Sequence, residues 1–137
     1  MRFLMLYSNQ FAIGNKPIGI ASLAAILKQN GHIFSLIDCT QWSIQSKAKM
    51  DSNLKGTKSL EFKFPSNPDR LPKRRPITFE GLVDEVFRSI EEFKPDIIGL
   101  SALTDDYPLG LGVMREVKRH FSAIPTIVPL TSYLLAS

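Results

Sequence analysis

The adjacent carboxylates Asp105 and Asp106 are the residues of this sequence whose type and spacing most directly suggest chemistry. They could cap a following helix, accept hydrogen bonds from the amide edge of a ligand, or act in general acid–base catalysis, although the sequence offers no recognisable partner for that. Cys39 has no recognisable base nearby, which favours a buried apolar role over a nucleophile. His32 and His120 are expected at element ends away from the ligand, as capping or surface residues.

Several signatures that would define a function do not occur. The loop expected after the first strand contains only Gly14 and Gly19, so a dinucleotide-binding G-x-G-x-x-G motif is lacking. No P-loop follows any expected strand. A magnesium site would need carboxylates at the end of the first strand, where this sequence has Asn9 and Gln10. These observations leave no support for a nucleotide-dependent enzyme.

The composition predicts one folded, cytoplasmic domain over residues 1–137. The chain is 44% hydrophobic and 22% charged, enough to form a core. One cysteine excludes a disulfide framework, and no apolar run approaches the roughly 18–20 residues needed to span a membrane. Residues 1–11 are apolar but lack a small-residue cleavage site, so they are not interpreted as a signal peptide.

The net charge of +4 is concentrated in residues 41–78, which we interpret as a basic surface insertion. This segment holds nine basic and three acidic side chains and carries +6, whereas the remainder carries −2. Its four prolines and scattered polar residues are typical of a long loop. It could be a solvated loop, a docking surface for an acidic partner or neighbouring domain, or a nucleic-acid contact. That last interpretation depends on one short cluster, Lys73-Arg74-Arg75, with Trp42, Phe62 and Phe64 as stacking groups.

Apolar patterning predicts strands that alternate with helices. Short continuous apolar runs are typical of buried strands, and apolar residues at helical spacing are typical of amphipathic helices. Pro17 suits the first position of a helix, Thr78 can cap the second, and Gly31 suits a left-handed helix end. The predicted strands cover residues 2–8, 33–37, 97–100 and 126–128, and the predicted helices cover residues 17–30, 78–95 and 108–121.

This order predicts an α/β fold, a flavodoxin- or Rossmann-like doubly wound parallel sheet that is incomplete, with about four strands and three helices. In such sheets ligands bind outside the carboxyl ends of the strands. We therefore expect the site in residues 9–19, after Asp38, in residues 101–107 and after Val128.

Two stretches resemble the cobalamin-binding domains of B12-binding radical SAM proteins. Residues 15–32, with P-I-G-I, L-A-A-I-L and G-H, followed by Ile37-Asp38, are similar to the opening of those domains. Residues 95–104 (PDIIGLSALT) resemble their third strand, including an S-x-L motif at Ser101 and Leu103, and residues 105–108 continue as D-x-Y-P. The resemblance extends over most of residues 1–128 outside the insertion.

The resemblance implies a flavodoxin-like module that binds cobalamin and serves a radical SAM catalytic domain or another protein, with no membrane contact. Ser101 would hydrogen-bond the dimethylbenzimidazole tail, Leu103 would contact it, and Gly99 would leave room. The cofactor-binding residues implied are Asn9, Gln10, Pro17, Gly19, Gly99, Ser101, Leu103, Thr104, Asp105 and Tyr107. No catalytic or metal-ligating residue of this chain is implied.

The chain also departs from the family. Residues 9–19 lack the cobalt-ligating histidine of methionine synthase-type domains, so Asn9, Gln10 or a water would face the metal. Residues 129–137 form an atypical end, with Pro129 where the family has Gly-Gly, and no C-x-x-x-C-x-x-C motif follows. We therefore expect a fragment without catalysis of its own, with the iron–sulfur cluster and S-adenosylmethionine confined to a further domain. The alternative is an interaction domain that no longer binds cofactor and contacts partners through residues 41–78.

Overall fold

The protein is represented by a computed structural model, which describes residues 1–10, 17–45, 74–102 and 106–129. Strands and helices alternate along these ranges as the apolar pattern predicts. The elements are β1 (Arg2–Tyr7), α1 (Ile18–Gln29), β2 (Ile33–Asp38), a 3-10 turn (Cys39–Gln41), β3 (Trp42–Gln45), β4 (Arg75–Thr78), α2 (Phe79–Phe93), β5 (Ile97–Ser101), α3 (Tyr107–His120) and β6 (Thr126–Ile127).

The main sheet has four parallel strands in the order β2-β1-β5-β6. This order confirms the predicted α/β fold of flavodoxin- or Rossmann-like type, which is incomplete, with four sheet strands and three helices among the described residues. The order reverses at β1, whose neighbours are β2 on one side and β5 on the other. At the last pair of each ladder, Tyr7 lies between Asp38 and Ser101, so three strand ends meet at one edge.

Helices cover the sheet on both sides. On one side, called the α1 face, the side chains of Phe3, Met5 and Tyr7 pack with Ile20 of α1. On the other side, called the α2/α3 face, β1 contributes Leu4 and Leu6 to a larger core built with α2 and α3. The strands thus alternate between two buried faces, which is why β1 is apolar at nearly every position.

A second, two-stranded sheet lies at the ends of the segment that we interpreted as one surface insertion. β3 and β4 pair in parallel over four residues each, and Trp42, Ile44 and Ile77 pack against the α2/α3 core. The expectation of one long loop over residues 41–78 therefore does not hold at its two ends. Such short runs show no usable period, and their pairing joins residues that are distant in sequence.

The helix ends follow local chemistry, with shifts of one or two residues. The Thr78 side chain accepts a hydrogen bond of 3.0 Å from Gly81 N and caps α2 as predicted. Gly31 follows α1 with φ at 77°, the left-handed geometry expected for a glycine there. Pro17 precedes the first helical residue rather than occupying it. Lys94, with φ at 51°, follows the last residue of α2, so this helix ends two residues before its predicted limit at residue 95.

Candidate functional site

The carboxyl edge of the sheet brings together the ends of β1, β2 and β5 with the start of α3. Ser8 N donates a hydrogen bond of 3.2 Å to Ser101 O, extending the ladder between β1 and β5 by one residue. The predicted binding residues Leu103, Thr104 and Asp105 lie outside the residues that the structure describes. The described part of this edge falls into two halves, one on each face of the sheet.

Gln10 is the centre of the half on the α2/α3 face. Its Nε2 donates to the carbonyl oxygen of Cys39 at 2.5 Å, and its Oε1 accepts from Nη2 of Arg74 at 2.8 Å. Arg74 Nε also donates to Thr40 O at 3.1 Å. Both ends of the Gln10 amide are therefore engaged by the protein itself, which gives this residue a structural role, and its contact with the cofactor stays a prediction.

The start of α3 is hydrogen-bonded to the residues that follow β1. Oδ1 of Asp106 accepts a hydrogen bond of 3.0 Å from Gln10 N, and its carbonyl oxygen accepts one of 3.2 Å from Ser8 Oγ. Asp106 stands at the N-cap of α3, yet its side chain makes no capping bond to the helix. Its carboxylate instead joins α3 to the loop after β1.

Gly110 permits this close approach of α3. A Cβ at this position would lie 2.6 Å from Cδ1 of Leu100 and 2.7 Å from Oγ of Ser8. Such separations are far below ordinary contact distances, so a side chain here would force Leu100, Ser8 or the helix itself to shift. Gly110 is thus required for packing, a role that no local sequence pattern indicates.

Cys39 lies beneath this half of the edge with none of its surface exposed. Burial is the main cause, and together with the nearby carboxylates of Asp38 and Asp106 it raises the pKa of the Cys39 thiol from 9.0 to about 12. A thiol in this environment stays protonated at neutral pH and is a poor nucleophile. This geometry agrees with the apolar role that we favoured for it.

Tyr107 belongs to the core of the α2/α3 face and is fully buried. Its hydroxyl has no hydrogen-bond partner among the residues that the structure describes. Ser101 faces the opposite side of the sheet, because Ile98 and Leu100 occupy the α2/α3 core and side chains alternate along β5. The structure therefore does not bring together Tyr107 and Ser101, two of the predicted cofactor-binding residues.

The second half of the edge, on the α1 face, contains Ser101, Tyr7 and Asn9. Asn9 is fully buried and its Nδ2 donates a hydrogen bond of 2.8 Å to the Tyr7 hydroxyl. Ser101 is half-buried, and within the described ranges its hydroxyl makes no hydrogen bond. Of the polar groups predicted to bind cofactor here, Ser101 combines exposure with an unused hydroxyl.

Next to Ser101, on the side away from the carboxyl edge, β5 and β6 form an apolar strip on the α1 face. Its members are Gly99 and Ile127. α1 packs on β1 and β2, whereas Ile127 of β6 is left 53% exposed beside Gly99. A Cβ at Gly99 would lie 3.0 Å from the Phe3 ring and 3.3 Å from the Met5 sulfur. Side chains of β1 therefore pack closely against Gly99, and its expected role beside a cofactor tail stays a prediction.

The remaining predicted residues lie around this edge or far from it. Pro17 is half-buried and Gly19 is exposed, both at the start of α1. His32 precedes β2 at the amino edge, and His120 ends α3 with its Nδ1 3.1 Å from Glu116 O. Both histidines are thus distant from the carboxyl edge, as expected. No motif in the sequence indicates Ser8 or Gly110, and Arg74 was predicted only as part of a basic surface.

Comparison with known proteins adds no relative: no family model, no curated protein and no solved structure matches this chain. Across the ranges that the structure describes, no three His, Cys, Asp or Glu residues gather as they would around a metal ion. Among the helices of the same ranges, none is long and apolar enough to cross a membrane.

Proposed function

We propose that this chain is a cobalamin-binding module, which holds the cofactor at the α1-face half of the carboxyl edge. The observation that carries the proposal is the position of Ser101, a half-buried residue that ends β5 beside the point where the strand order reverses, and whose hydroxyl makes no hydrogen bond within the described ranges. In doubly wound sheets this reversal point is where ligands bind. The resemblance of residues 15–32 and 95–104 to B12-binding domains supplies the identity of the ligand.

The apolar strip below Ser101 fits the body of such a ligand. Ile127 is half-exposed on β6, and α1 leaves this part of the face uncovered within the described ranges. A nucleotide tail laid here would bury apolar surface, which favours binding by roughly 25 cal/mol per Å². Ser101 would donate or accept one hydrogen bond at the end of the strip nearest the carboxyl edge. The resemblance also implies an apolar contact from Leu103, which lies outside the described residues.

Two of the predicted cofactor-binding residues are left out of the proposed site. Gln10 and Tyr107 are assigned no contact with the cofactor, because one is hydrogen-bonded within the protein and the other lies in the opposite core. Bound cobalamin would supply a cobalt centre able to carry a methyl group or an electron. The residues of this chain would bind and orient it, and a radical SAM catalytic domain is the partner that the same resemblance suggests.

Retention of hydroxocobalamin tests the proposal. The purified chain is mixed with excess hydroxocobalamin, desalted and measured for protein-bound corrinoid absorbance. We expect near-stoichiometric retention by the wild type and about fivefold weaker affinity for Ser101→Ala, the loss of one net hydrogen bond of about 1 kcal/mol. A colourless protein after incubation with saturating cobalamin would overturn the proposal.

A pair of matched variants tests where the ligand binds. Ile127→Asp places a charge on the apolar strip and should abolish retention. Ile33→Asp changes a side chain of similar exposure, 51%, at the opposite edge of the sheet and should leave retention unchanged. Equal retention by the two variants would remove the site assignment, provided that circular dichroism shows both to be folded.

A further inference from the structure

The outer edge of β2 is unpaired among the described strands, because β2 is the first strand of the order β2-β1-β5-β6. Ile33 N donates to Met1 O at 2.9 Å, so the backbone of Ile33 is directed toward β1. Backbone direction alternates along a parallel strand, and the N–H and C=O groups of Phe34 and Leu36 therefore point outward. These groups form a template onto which another strand can hydrogen-bond.

The sequence of β2 before Asp38 lacks the charged residues and prolines that usually prevent association at a strand edge. Between His32 and Asp38 the strand contains no charged residue and no proline. Ile33 is 51% exposed and Leu36 is 37% exposed. Natural proteins protect such edges with lysine, proline or bulges, because an uncharged edge pairs readily with another chain.

We propose that the partner is a second copy of this chain, paired antiparallel through β2 about a two-fold axis at Ser35. This pairing sets Phe34 opposite Leu36 of the second copy, so that the outward backbone groups of both residues meet. Ile33 then lies opposite Ile37 of the second copy, and each chain contributes the same apolar pairs. A self-complementary surface of this kind is what a symmetric dimer requires.

Hydrogen-bonding complementarity between an imidazole and a carboxylate selects this register over its neighbours. With the axis at Ser35, His32 of one chain lies opposite Asp38 of the other, at both ends of the seam. Moving the axis to Leu36 would instead place Phe34 opposite the carboxylate of Asp38. Moving it to Phe34 would leave Ile37 and Asp38 beyond the end of the paired strand.

The helices are compatible with the same arrangement. A two-fold axis perpendicular to the sheet keeps both copies of α1 on one side, flanking the new seam. α1 carries one charged residue, Lys28, in 12 residues, and Ile26 is 56% exposed. The two sheets would join into one of eight strands. This inference does not rest on cobalamin binding.

The molar mass in solution is the first test. By sedimentation or light scattering at micromolar concentrations, we expect the wild type at twice the 15.4 kDa of one chain. Leu36→Lys should convert it to a monomer, since a lysine at the centre of an edge opposes pairing. Ile127→Lys alters the opposite edge and should remain dimeric. A monomeric wild type, or a dimer unaffected by Leu36→Lys, would overturn the proposal.

Crosslinking tests the register without disturbing the apolar pairs. At the two-fold axis, Ser35 would oppose its own copy in a non-hydrogen-bonded pair with Cα atoms about 4.5 Å apart, a spacing at which a disulfide forms. Ser35→Cys should therefore give a covalent dimer on mild oxidation. Cys39 is fully buried and will not compete, and the exposed Ser122→Cys serves as the matched control. A non-covalent dimer that Ser35→Cys fails to crosslink would contradict this register.

Discussion

Arg74 donates a hydrogen bond of 2.8 Å from Nη2 to Oε1 of Gln10, a residue 64 positions earlier in the chain. The bond joins the start of β4, at the far end of the basic segment, to the loop after β1. Because Arg74 also donates to Thr40 O, one guanidinium holds three parts of the carboxyl edge together. A residue from a segment that we interpreted as surface insertion thus stabilises the candidate site.

Replacing Arg74 by alanine should lower the free energy of unfolding by about 1.5–3 kcal/mol, because two hydrogen bonds from a charged donor are lost at a partly buried position. Urea denaturation followed by circular dichroism measures the change. Arg75→Ala is the control: its side chain is exposed, and its effect should stay within about 0.5 kcal/mol. Equal effects of the two variants would mean that the Arg74 contacts contribute nothing to stability.

Two glycines of α3 should respond oppositely to alanine. At Gly110 a methyl group would collide with Leu100 and Ser8, and we expect a loss of about 1–3 kcal/mol. At Gly112 the nearest atom is in the Phe79 ring at 3.4 Å, so alanine fits there. Its higher helix propensity should then raise stability by up to about 1 kcal/mol. Thermal unfolding of both variants checks the prediction, which fails if Gly110→Ala is as stable as Gly112→Ala.

Cys39 should resist thiol reagents in the folded protein. With its pKa raised to about 12, almost no thiolate forms at pH 8, and the sulfur is fully buried. We expect no reaction with Ellman's reagent until urea unfolds the chain, whereas Ser122→Cys should supply one reactive thiol in the folded state. Rapid labelling of native wild type at pH 8 would be incompatible with this burial.

The same pKa shift predicts a pH dependence of stability. The thiol of the unfolded chain loses its proton near its ordinary pKa of 9.0, while that of the folded chain keeps it to about 12. The stabilisation from a protonated Cys39 is therefore complete below pH 9 and declines as the pH rises from 9 toward 12. Urea midpoints measured across that range should fall for the wild type and fall less for Cys39→Ala, measured against its own value at pH 8.

Thr78→Ala should weaken the start of α2. The Thr78 hydroxyl caps Gly81 N, and its loss should cost about 0.5–2 kcal/mol in the free energy of unfolding. Ser22→Ala, at an exposed position within α1, is the control and should be neutral or slightly stabilising. Chemical denaturation compares the two, and a cap variant as stable as wild type would argue against this hydrogen bond.

Local patterns in the sequence were sufficient for the main elements of the fold. The continuous apolar run of β1 marks a strand buried on both faces, and the cap at Thr78 and the left-handed Gly31 mark helix ends. These signals depend on a few neighbouring residues, so one sequence contains them in full. Strand and helix order then implied a parallel sheet, which the structure confirms.

The composition of the candidate site was decided by tertiary structure. Sequence proximity grouped Ser101 with Tyr107, yet the structure places these two side chains on opposite faces of the sheet. It also places Arg74 beside Gln10, 64 residues away in the sequence. In the same way Gly110 lies beside Ser8, 102 residues away. Such meetings follow from strand order and from the depth at which α3 packs. Strand order and packing depth do not appear in the local spacing of apolar residues. The sequence alone therefore predicted which edge of the sheet holds the site, but not which side chains meet there.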